Sequence, residues 1–513
     1  MTQVRAGKVY LLGAGPGDPD LVTLRAKKHL AEADVVLYDA LVHEDLLRLC
    51  RKDAKKVFVG KRAGRASERQ AAINERMVSE ARAGNVVARL KGGDPYLFGR
   101  GSEEAEHLAN AGVAFEVVPG VTSPLAVCAY AGISLTHRDL ASSVAFITAV
   151  ESGGDEETSH DWAKLATATD TLVIFMGVRT LGAVMDKLVA NGRSPSTPAA
   201  VFHWASLPQQ RTVVGTVATI AELADKAELA LPALTVVGDV VGLREKLRWY
   251  DTQPLFGKRV FVGRAEEQND GFAALLRARG AEPVAHPLIR IEAPEAIEPL
   301  QRAVQAASSY RWVLFTSSNA VHAFLNEAKA QGRDARVFGE AKICAIGPAT
   351  AESLAAYGIR ADLTPAEYRG EAVAEALRAA EPSLKDVRVL LPRAAVARDV
   401  LPDTLRANGA LVDIVDAYRT AAPPETERAA IAACIENGDV DVVTITSPSS
   451  VQNLVRILGP NAAKTLERLK LASIGPVTTK AAQELGLTVH ITATEYTTVG
   501  LLDALESYYT ETH

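Results

Sequence analysis

The chain has 513 residues, of which 48% are hydrophobic and 23% are charged, so it can bury several cores and form more than one domain. A net charge of −6 gives no overall basic field for nucleic acid, and no apolar run reaches the roughly 18–20 residues of a membrane span. The cysteines are far apart and lack C-x-x-C spacing, which argues against structural zinc or a disulfide framework. We expect a cytoplasmic protein with no metal site and no nucleic-acid or membrane partner.

Short apolar segments alternate with helical stretches along the first half of the chain. This alternation is typical of parallel sheets covered by helices on both faces, so we predict an α/β fold. Two tracts are expected, about 1–138 and 139–250. The predicted strands are 9–13, 34–39, 56–60, 85–94 and 115–120 in the first tract, and 143–149, 171–177, 199–204, 211–216 and 233–239 in the second.

The first strand runs into the loop GAGPGD (13–18). A dinucleotide fingerprint needs glycine where Asp18 stands, and Pro16 removes a backbone donor, so phosphate binding is disfavoured. The loop predicts close backbone approach to a ligand that is not an anion; a tight turn without a ligand is the alternative. Loops at Asp39, Gly92–Asp94 and Gly120–Ser123 also follow strands, and we expect them to converge with it on one site.

Beyond a boundary near Pro254 the sequence repeats itself. RVFVGRA (259–265) matches RVLLPRA (388–394), WVLFTSSNAV (312–321) matches VVTITSPSSV (442–451), and CAIGPATAESLAAYGI (344–359) matches ASIGPVTTKAAQELGL (472–487), at offsets of 128 to 130 residues. A duplication predicts two similar α/β domains, with the cleft between them as the default ligand site.

These motifs resemble two families. GAGPGD, VLYDALV (36–42), RLKGGDPYLFGRGSEE (89–104), VVPGVTS (117–123) and FMGV (175–178) resemble uroporphyrinogen-III C-methyltransferase over residues 1–250. FTSSNAV, AIGPAT, AYRT and TSPSSV resemble uroporphyrinogen-III synthase over residues 255–513. The resemblance implies a tetrapyrrole-methylase fold of two α/β subdomains, followed by two flavodoxin-like domains joined by two crossing strands. Domain one would be 255–290 plus 421–513, and domain two 291–420.

The resemblance also implies a bifunctional enzyme with small-molecule tetrapyrrole substrates. The synthase half would cyclise hydroxymethylbilane with inversion of ring D, and the other half would methylate uroporphyrinogen III twice with S-adenosylmethionine to give precorrin-2, on the way to siroheme or cobalamin. It implies a homodimer through the methyltransferase half and no NAD chemistry. The alternatives are a related methylase acting on another substrate, or a methyltransferase fused to a non-catalytic tetrapyrrole-sensing module.

Residues of the methyltransferase half match family positions with assigned roles. Asp39 matches the proposed base and Lys61 the proposed acid, with a turn aspartate and a solvated lysine as the alternatives. Arg62 and Arg138, together with Arg89 and Lys91, are expected to meet the substrate's carboxylates, and a cationic methyl donor would suit Asp18 and Asp94. Ala205 stands where glycine is common. The methyl-donor residues implied are Pro16, Gly92, Gly93, Asp94, Leu97, Thr122, Ser123, Met176 and Ala205.

In the synthase half, Tyr418 matches the tyrosine suggested to assist departure of the bilane hydroxyl. Its alternative role is an aromatic that packs between domains. Thr316, Ser317 and Ser447 stand at predicted helix starts, where hydroxyls and free N–H groups bind carboxylates. Plain N-capping is the alternative for these residues and is compatible with binding.

Overall fold

The computed structural model describes residues 7–60, 69–149, 160–263, 266–367, 370–397 and 399–511, with only the backbone for 266–270. The chain divides into two compact units: Met1–Arg259 with Leu275–Pro283 and Leu505–His513, and Val260–Ala274 with Val284–Ala504. Within the described ranges the strands form four five-stranded sheets. No helix in these ranges is long and apolar enough to cross a membrane.

The first sheet is parallel throughout, with strand order β3-β2-β4-β1-β5. Its central strand β4 is buried along its whole length, because helices cover both faces of a parallel sheet. Because all five strands of the first sheet run in the same direction, their carboxyl ends lie along one edge of the sheet. The elements are β1 (Lys8–Gly13), α1 (Leu24–Glu32), β2 (Val35–Tyr38), β3 (Lys55–Phe58), α2 (Gln70–Arg82), β4 (Val86–Lys91), α3 (Gly101–Asn110), β5 (Phe115–Val118) and α4 (Ser123–Ala131).

The second sheet has the order β6-β7-β10-β8-β9 and is mixed. Only β6 and β7 run parallel, and the other three pairings are antiparallel. The expectation of a parallel sheet is wrong here, because the loop 204–210 is too short for the crossover of about a dozen residues that parallel strands need. The elements are β6 (Val144–Thr148), α5 (Trp162–Ala168), β7 (Thr171–Phe175), α6 (Leu181–Ala190), β8 (Pro198–His203), β9 (Arg211–Thr216), α7 (Ile220–Lys226), β10 (Ala233–Val237) and α8 (Arg244–Leu247).

The remaining strands form two sheets, of order β12-β11-β18-β19-β20 and β13-β17-β16-β14-β15. The first therefore combines strands from 259–285 with strands from 442–492, and the second takes its strands from 290–421. The long strand β17 runs parallel to β16 and antiparallel to β13. The strands are β11 (Arg259–Val262), β12 (Glu282–Ala285), β13 (Arg290–Glu292), β14 (Trp312–Phe315), β15 (Lys342–Ala345), β16 (Arg388–Ala394), β17 (Leu411–Ala421), β18 (Val442–Ile445), β19 (Lys470–Ser473) and β20 (Ile491–Thr492).

Helices pack on these two sheets through apolar faces. Phe324 and Leu325 of α11, for example, are buried in the same core as Phe315 of β14. The helices are α9 (Glu266–Ala278), α10 (Glu298–Ala306), α11 (Ser318–Ala330), α12 (Pro348–Ala355), α13 (Gly370–Ala380), α14 (Val400–Ala407), α15 (Glu425–Glu436), α16 (Pro448–Leu458), α17 (Ala462–Leu466), α18 (Pro476–Glu484) and α19 (Thr498–Glu511).

Candidate active site

A cavity of about 530 Å³ opens between the first two sheets, in the size range of about 300–1,000 Å³ that is typical of small-molecule sites. The loops after β1, β2, β4 and β5 form one wall, and the ends of β7, β8 and β10 form the other. The nine residues that the sequence resemblance assigned to the methyl donor all line it: Pro16, Gly92, Gly93, Asp94, Leu97, Thr122, Ser123, Met176 and Ala205. The structure brings these residues together, and their roles remain predictions.

Three glycine loops of the first wall pack backbone against backbone. Gly15 and Gly93 form an isolated bridge in which the Gly93 N–H donates to the Gly15 carbonyl at 2.6 Å. A Cβ on Gly120 would lie 2.2 Å from the Gly93 oxygen and 2.7 Å from the Gly13 Cα. Gly13 and Gly120 are thus required for contact between loops, whereas Gly15, Gly92 and Gly93 face the cavity.

Asp94 is the one charged side chain among the described residues that line the cavity. One carboxylate oxygen accepts a hydrogen bond from the Tyr96 N–H at 2.8 Å, and the other accepts from the Gly120 N–H at 3.0 Å. Asp94 therefore holds the loop after β4 against the loop after β5 while it contributes a negative charge to the cavity wall.

Asp18 does not line the cavity, which corrects the expectation that it faces a cationic methyl donor. One of its carboxylate oxygens accepts from the Asp20 N–H at 2.9 Å, as the N-cap of a short helical turn. The other accepts from the Tyr130 hydroxyl at 2.6 Å. Both oxygens are engaged by protein donors, as in Asp94, but Asp18, unlike Asp94, is not part of the cavity wall.

Asp39 follows β2 directly, next to the cavity residues Ala40 and Leu41. Its Oδ1 accepts from the Leu41 N–H at 3.1 Å, and its Oδ2 lies 3.8 Å from a guanidinium nitrogen of Arg89. It has the contacts of a turn aspartate, and its side chain is about one quarter exposed at the edge of the cavity. The other predicted acid–base residue, Lys61, and the predicted substrate ligand Arg62 lie outside the described residues.

Arg89 and Lys91 are buried inside the first sheet, so the expectation that they meet substrate carboxylates is wrong. Glu104 of α3 is fully buried and its Oε1 accepts from Arg89 Nε at 3.1 Å and from Lys91 Nζ at 2.9 Å. Gln70 also donates to this oxygen at 3.0 Å. Burial and the neighbouring Arg89 lower the pKa of Lys91, an effect that Glu104 opposes. Glu104 was not among the residues predicted from the sequence, although two cations on an otherwise apolar strand require a buried anion.

Arg138, the remaining predicted ligand of the substrate's carboxylates, is exposed in a turn where His137 and Ala141 form an isolated bridge. It is not among the residues that line the cavity. Binding of the substrate's carboxylates by Arg138 therefore stays a prediction, and it would take place outside the cavity wall.

Several cavity residues other than glycine have a left-handed backbone: Phe98 (φ 52°), Met176 (φ 56°) and Trp204 (φ 48°). Each costs on the order of 1–3 kcal/mol, and such strain clusters at functional sites. All three side chains are at least one third exposed. Of these residues only Met176 was predicted from the sequence, because nothing local in a sequence marks a strained backbone in a bulky residue.

The predicted synthase residues lie in or just after strands of two different sheets: Tyr418 in β17, Thr316 and Ser317 after β14, and Ser447 after β18. Ser317 is the N-cap of α11 and accepts from the Ala320 N–H at 3.2 Å; Ser447 caps α16 and accepts from the Ser450 N–H at 3.1 Å. The N-capping alternative therefore applies to both serines. The Tyr418 hydroxyl lies 3.1 Å from that of Ser317, which follows Thr316, whereas Ser447 lies at the end of β18 in the other sheet. The Tyr418 ring is 8% exposed and packs in a core.

Comparison with known proteins finds two family models. The model of the tetrapyrrole (corrin/porphyrin) methylases matches residues 8–221, and that of uroporphyrinogen-III synthase HemD matches residues 270–503. The porphyrin biosynthesis protein HemD of Ruminiclostridium josui is 36% identical over 500 residues, which cover 97% of each chain.

Two further relatives match the first half. The uroporphyrinogen-III C-methyltransferase of Bacillus subtilis (strain 168) is 46% identical over 247 residues, 48% of this chain and 96% of that protein. The S-adenosyl-L-methionine-dependent uroporphyrinogen III methyltransferase of Methanosarcina barkeri is 50% identical over 241 residues, 47% of this chain and 94% of that protein. The chain therefore belongs to the tetrapyrrole methylases through its N-terminal half and to the uroporphyrinogen-III synthases through its C-terminal half.

Proposed function

We propose that this chain is a bifunctional enzyme of tetrapyrrole biosynthesis. Its C-terminal half converts hydroxymethylbilane to uroporphyrinogen III with inversion of ring D, and its N-terminal half methylates that product twice with S-adenosylmethionine to give precorrin-2. The observation that carries the proposal is the single cavity in which nine predicted donor residues meet, in a chain whose other half matches the synthase family.

The cavity suits a methyl donor that carries a sulfonium cation and no phosphate. Its described lining contains no lysine or arginine, and its one charged side chain is the carboxylate of Asp94. A Cβ on Gly92 would lie 2.8 Å from the Leu41 Cβ, so the backbone of this loop lies closely against the loop after β2. The residues that would hold the donor are the nine named above. When bound, the donor supplies an electrophilic methyl group.

Methyl transfer needs a pyrrole carbon aligned with the methyl group, and a base for the proton lost afterwards. The new carbon–carbon bond forms as the carbon–sulfur bond breaks; S-adenosylhomocysteine leaves, and the proton passes to a base. Asp39 is our candidate for that base, because it immediately precedes the cavity residues Ala40 and Leu41. Lys61 remains the candidate acid on the family resemblance alone.

In the synthase half, we assign Tyr418 to the departure of the bilane hydroxyl. Its hydroxyl group is held by Ser317 at the first turn of α11, where N–H groups favour a carboxylate. Loss of water from the bilane, rotation of the last ring and ring closure depend mainly on holding one conformation, so we expect a modest contribution from this phenol.

The proposal is tested by feeding the purified protein hydroxymethylbilane with and without S-adenosylmethionine. We expect uroporphyrinogen III without the donor and precorrin-2 with it. If only the spontaneous isomer, uroporphyrinogen I, forms in a folded protein, the C-terminal half is a sensing module; if no methylated product forms from supplied uroporphyrinogen III, the methylase assignment fails.

Asp39→Ala should keep its affinity for S-adenosylhomocysteine, because the Asp39 side chain does not line the cavity. It should lose most methylation, because the proposed base is removed. Loss of a positioned base typically costs about 10²–10⁴-fold in turnover. Calorimetric titration and single-turnover methylation measure the two quantities. Normal methylation by this variant would leave Asp39 as a turn residue.

Tyr418→Phe removes the hydroxyl and keeps the ring. Synthase turnover should fall by about 10²-fold or less, and the share of isomer I should rise. Methylation of supplied uroporphyrinogen III should not change. Tyr310→Phe is the matched control, because its hydroxyl donates to Asp413 in the same half. Parent-like turnover and isomer ratio in Tyr418→Phe would make Tyr418 a packing residue.

The family resemblance supports three further parts of the proposal. The enzyme is cytoplasmic, dimerises through its methylase half, and divides into a methylase of 1–250 and a synthase of 255–513. A fragment beginning at residue 255 should therefore make uroporphyrinogen III without the donor. Light scattering of the full chain and of this fragment should give a dimer and a monomer, respectively.

A further inference from the structure

The last residue of the loop GAGPGD, Asp18, does not line the cavity, but it contacts the turn after β8 that carries the cavity residues Trp204 and Ala205. We propose that Asp18, Tyr130 and Ser206 form a clamp that holds the two walls at the spacing required by the methyl donor. The inference rests on the proposed function of the cavity and assigns these residues a positioning role without donor contact.

The first link of the clamp joins the two walls directly. The backbone N–H of Asp18 donates to the Ser206 hydroxyl at 3.2 Å. The preceding residue, Gly17, has its backbone against the same turn, since a Cβ there would lie 3.0 Å from Ser206 Oγ and 3.2 Å from the Ala205 carbonyl oxygen. Because Pro16 and Ala205 both line the cavity, this contact fixes one wall relative to the other.

The second link fixes Asp18 itself. Its carboxylate accepts from the Tyr130 hydroxyl at 2.6 Å. The Tyr130 ring is held in turn by Trp249 and Tyr250, at centroid distances of 5.3 Å and 4.8 Å. Burial and the adjacent Asp18 raise the pKa of Tyr130, so the phenol keeps the proton that it donates. This hydrogen bond ties the glycine loop to α4.

The third link is a strained turn that needs anchoring. Trp204 and Ser206 both have left-handed backbones, with φ of 48° and 65°. The Ser206 N–H donates to the side chain of Gln210, which is 5% exposed, at 3.0 Å. Strain of this kind persists only where the surroundings hold it in place. Besides Gln210, Asp18 supplies a second anchor from the loop that follows β1, so without it the turn that carries Trp204 and Ala205 is held less firmly at the cavity.

A site held in its binding geometry binds more tightly, because less order must be imposed when the ligand arrives. Loosening the clamp should therefore weaken donor binding and leave the chemical step nearly intact. A purely structural role predicts the reverse: lower stability with unchanged affinity in the protein that remains folded.

The test uses full-length protein and calorimetric titration with S-adenosylhomocysteine. Ser206→Ala removes the hydroxyl that accepts from Asp18, and Ser206→Gly removes it while also relieving the left-handed backbone. We expect the Kd to rise about tenfold in both, an effect of the size of one lost hydrogen bond. The KM for S-adenosylmethionine should rise in parallel, with kcat within about threefold of the parent value.

Tyr130→Phe tests the clamp from the other end and should weaken binding in the same way. Tyr250→Phe is its matched control: it removes a hydroxyl from the adjacent ring, which makes no hydrogen bond to Asp18 within the described residues, and should bind like the parent. Parent-like affinity in Ser206→Ala, Ser206→Gly and Tyr130→Phe overturns the clamp and leaves the proposed function standing. Failure of the parent protein to bind S-adenosylhomocysteine overturns both.

Discussion

Replacement of Glu104 by glutamine should strongly destabilise the first unit. The substitution keeps the shape of the side chain and removes its negative charge. Glu104 is fully buried and accepts hydrogen bonds from both Arg89 and Lys91, which are themselves each 4% exposed. The variant therefore leaves two buried cations facing an amide.

The expected size of the effect follows from the burial of all three groups. Removal of one partner from a buried ion pair costs about 3–5 kcal/mol when the remaining charge is uncompensated. Asp39 lies 3.8 Å from the Arg89 guanidinium and compensates part of it, so we expect the lower end, about 3 kcal/mol. Burial and Arg89 already lower the pKa of Lys91, and Glu104 opposes that shift, so the variant should lower this pKa further. Between the lowered pKa of Lys91 and about pH 10.4 the unfolded chain binds more protons than the folded chain, so stability rises with pH over that range. The variant extends this range to lower pH than in the parent, so its deficit relative to the parent should shrink as the pH rises through the added part.

Hydrogen exchange of the full-length protein measures this loss where it occurs, in peptides covering β4 and α3. A loss of about 3 kcal/mol lowers amide protection on the order of 10²-fold. The matched control is Glu103→Gln: this neighbour is 51% exposed and pairs with Arg100 at the surface, so its loss should cost at most about 1 kcal/mol. Equal protection in the two variants, or a deficit that does not change with pH, would refute the reasoning.

Two further predictions concern the glycine loops and acid stability. Gly120→Ala places a methyl group 2.2 Å from the Gly93 oxygen and should abolish S-adenosylhomocysteine binding in calorimetry. In the control Gly242→Ala the added methyl group meets nothing within 4 Å, so this variant should bind like the parent. Tight binding by Gly120→Ala would contradict the loop packing described above. Burial lowers the pKa of His286, so the second unit should lose stability as the pH falls below about 6.5, where the unfolded chain takes up a proton that the folded chain does not. Between pH 7.5 and pH 5.5 the free energy of unfolding in urea should fall less in His286→Gln than in the parent. An equal fall in both proteins would count against a role for His286 in acid stability.

The α/β class was predictable because buried strands in such folds are short apolar runs that end in glycine or aspartate. Each of the ten predicted segments of the first half overlaps a strand. Strand direction in the second sheet was not predictable in the same way, since a strand has the same local pattern in either direction. The short hairpin loop between β8 and β9 makes these two strands antiparallel, and the length of this loop is the only sign of that direction in the sequence.

The residues of the cavity wall could be predicted from local motifs, because loops after parallel strands share one edge of the sheet. The partners of the charged residues could not be predicted in this way. Asp18 bonds to Tyr130, 112 residues away, and Arg89 and Lys91 pair with Glu104 on the following helix. A charged residue in a sequence does not reveal which protein group it pairs with, so Asp18, Arg89 and Lys91 were each predicted to meet a ligand, whereas all three pair within the protein.

The strand order of the synthase half has a consequence for its synthesis on the ribosome. Strand β11 pairs with β18, so the sheet that contains it cannot close until residues 442–445 have emerged. Between β12 and β18 the chain makes all strands of the other sheet, which can form meanwhile. At about 5–20 residues per second, β11 and β12 wait roughly 8–30 s with exposed apolar faces and unpaired edges. A stalled nascent chain that has emerged as far as about residue 425 should therefore protect β14 to β17 from protease and leave β11 open to cleavage. In this interval the incomplete chain is most exposed to aggregation and chaperone capture.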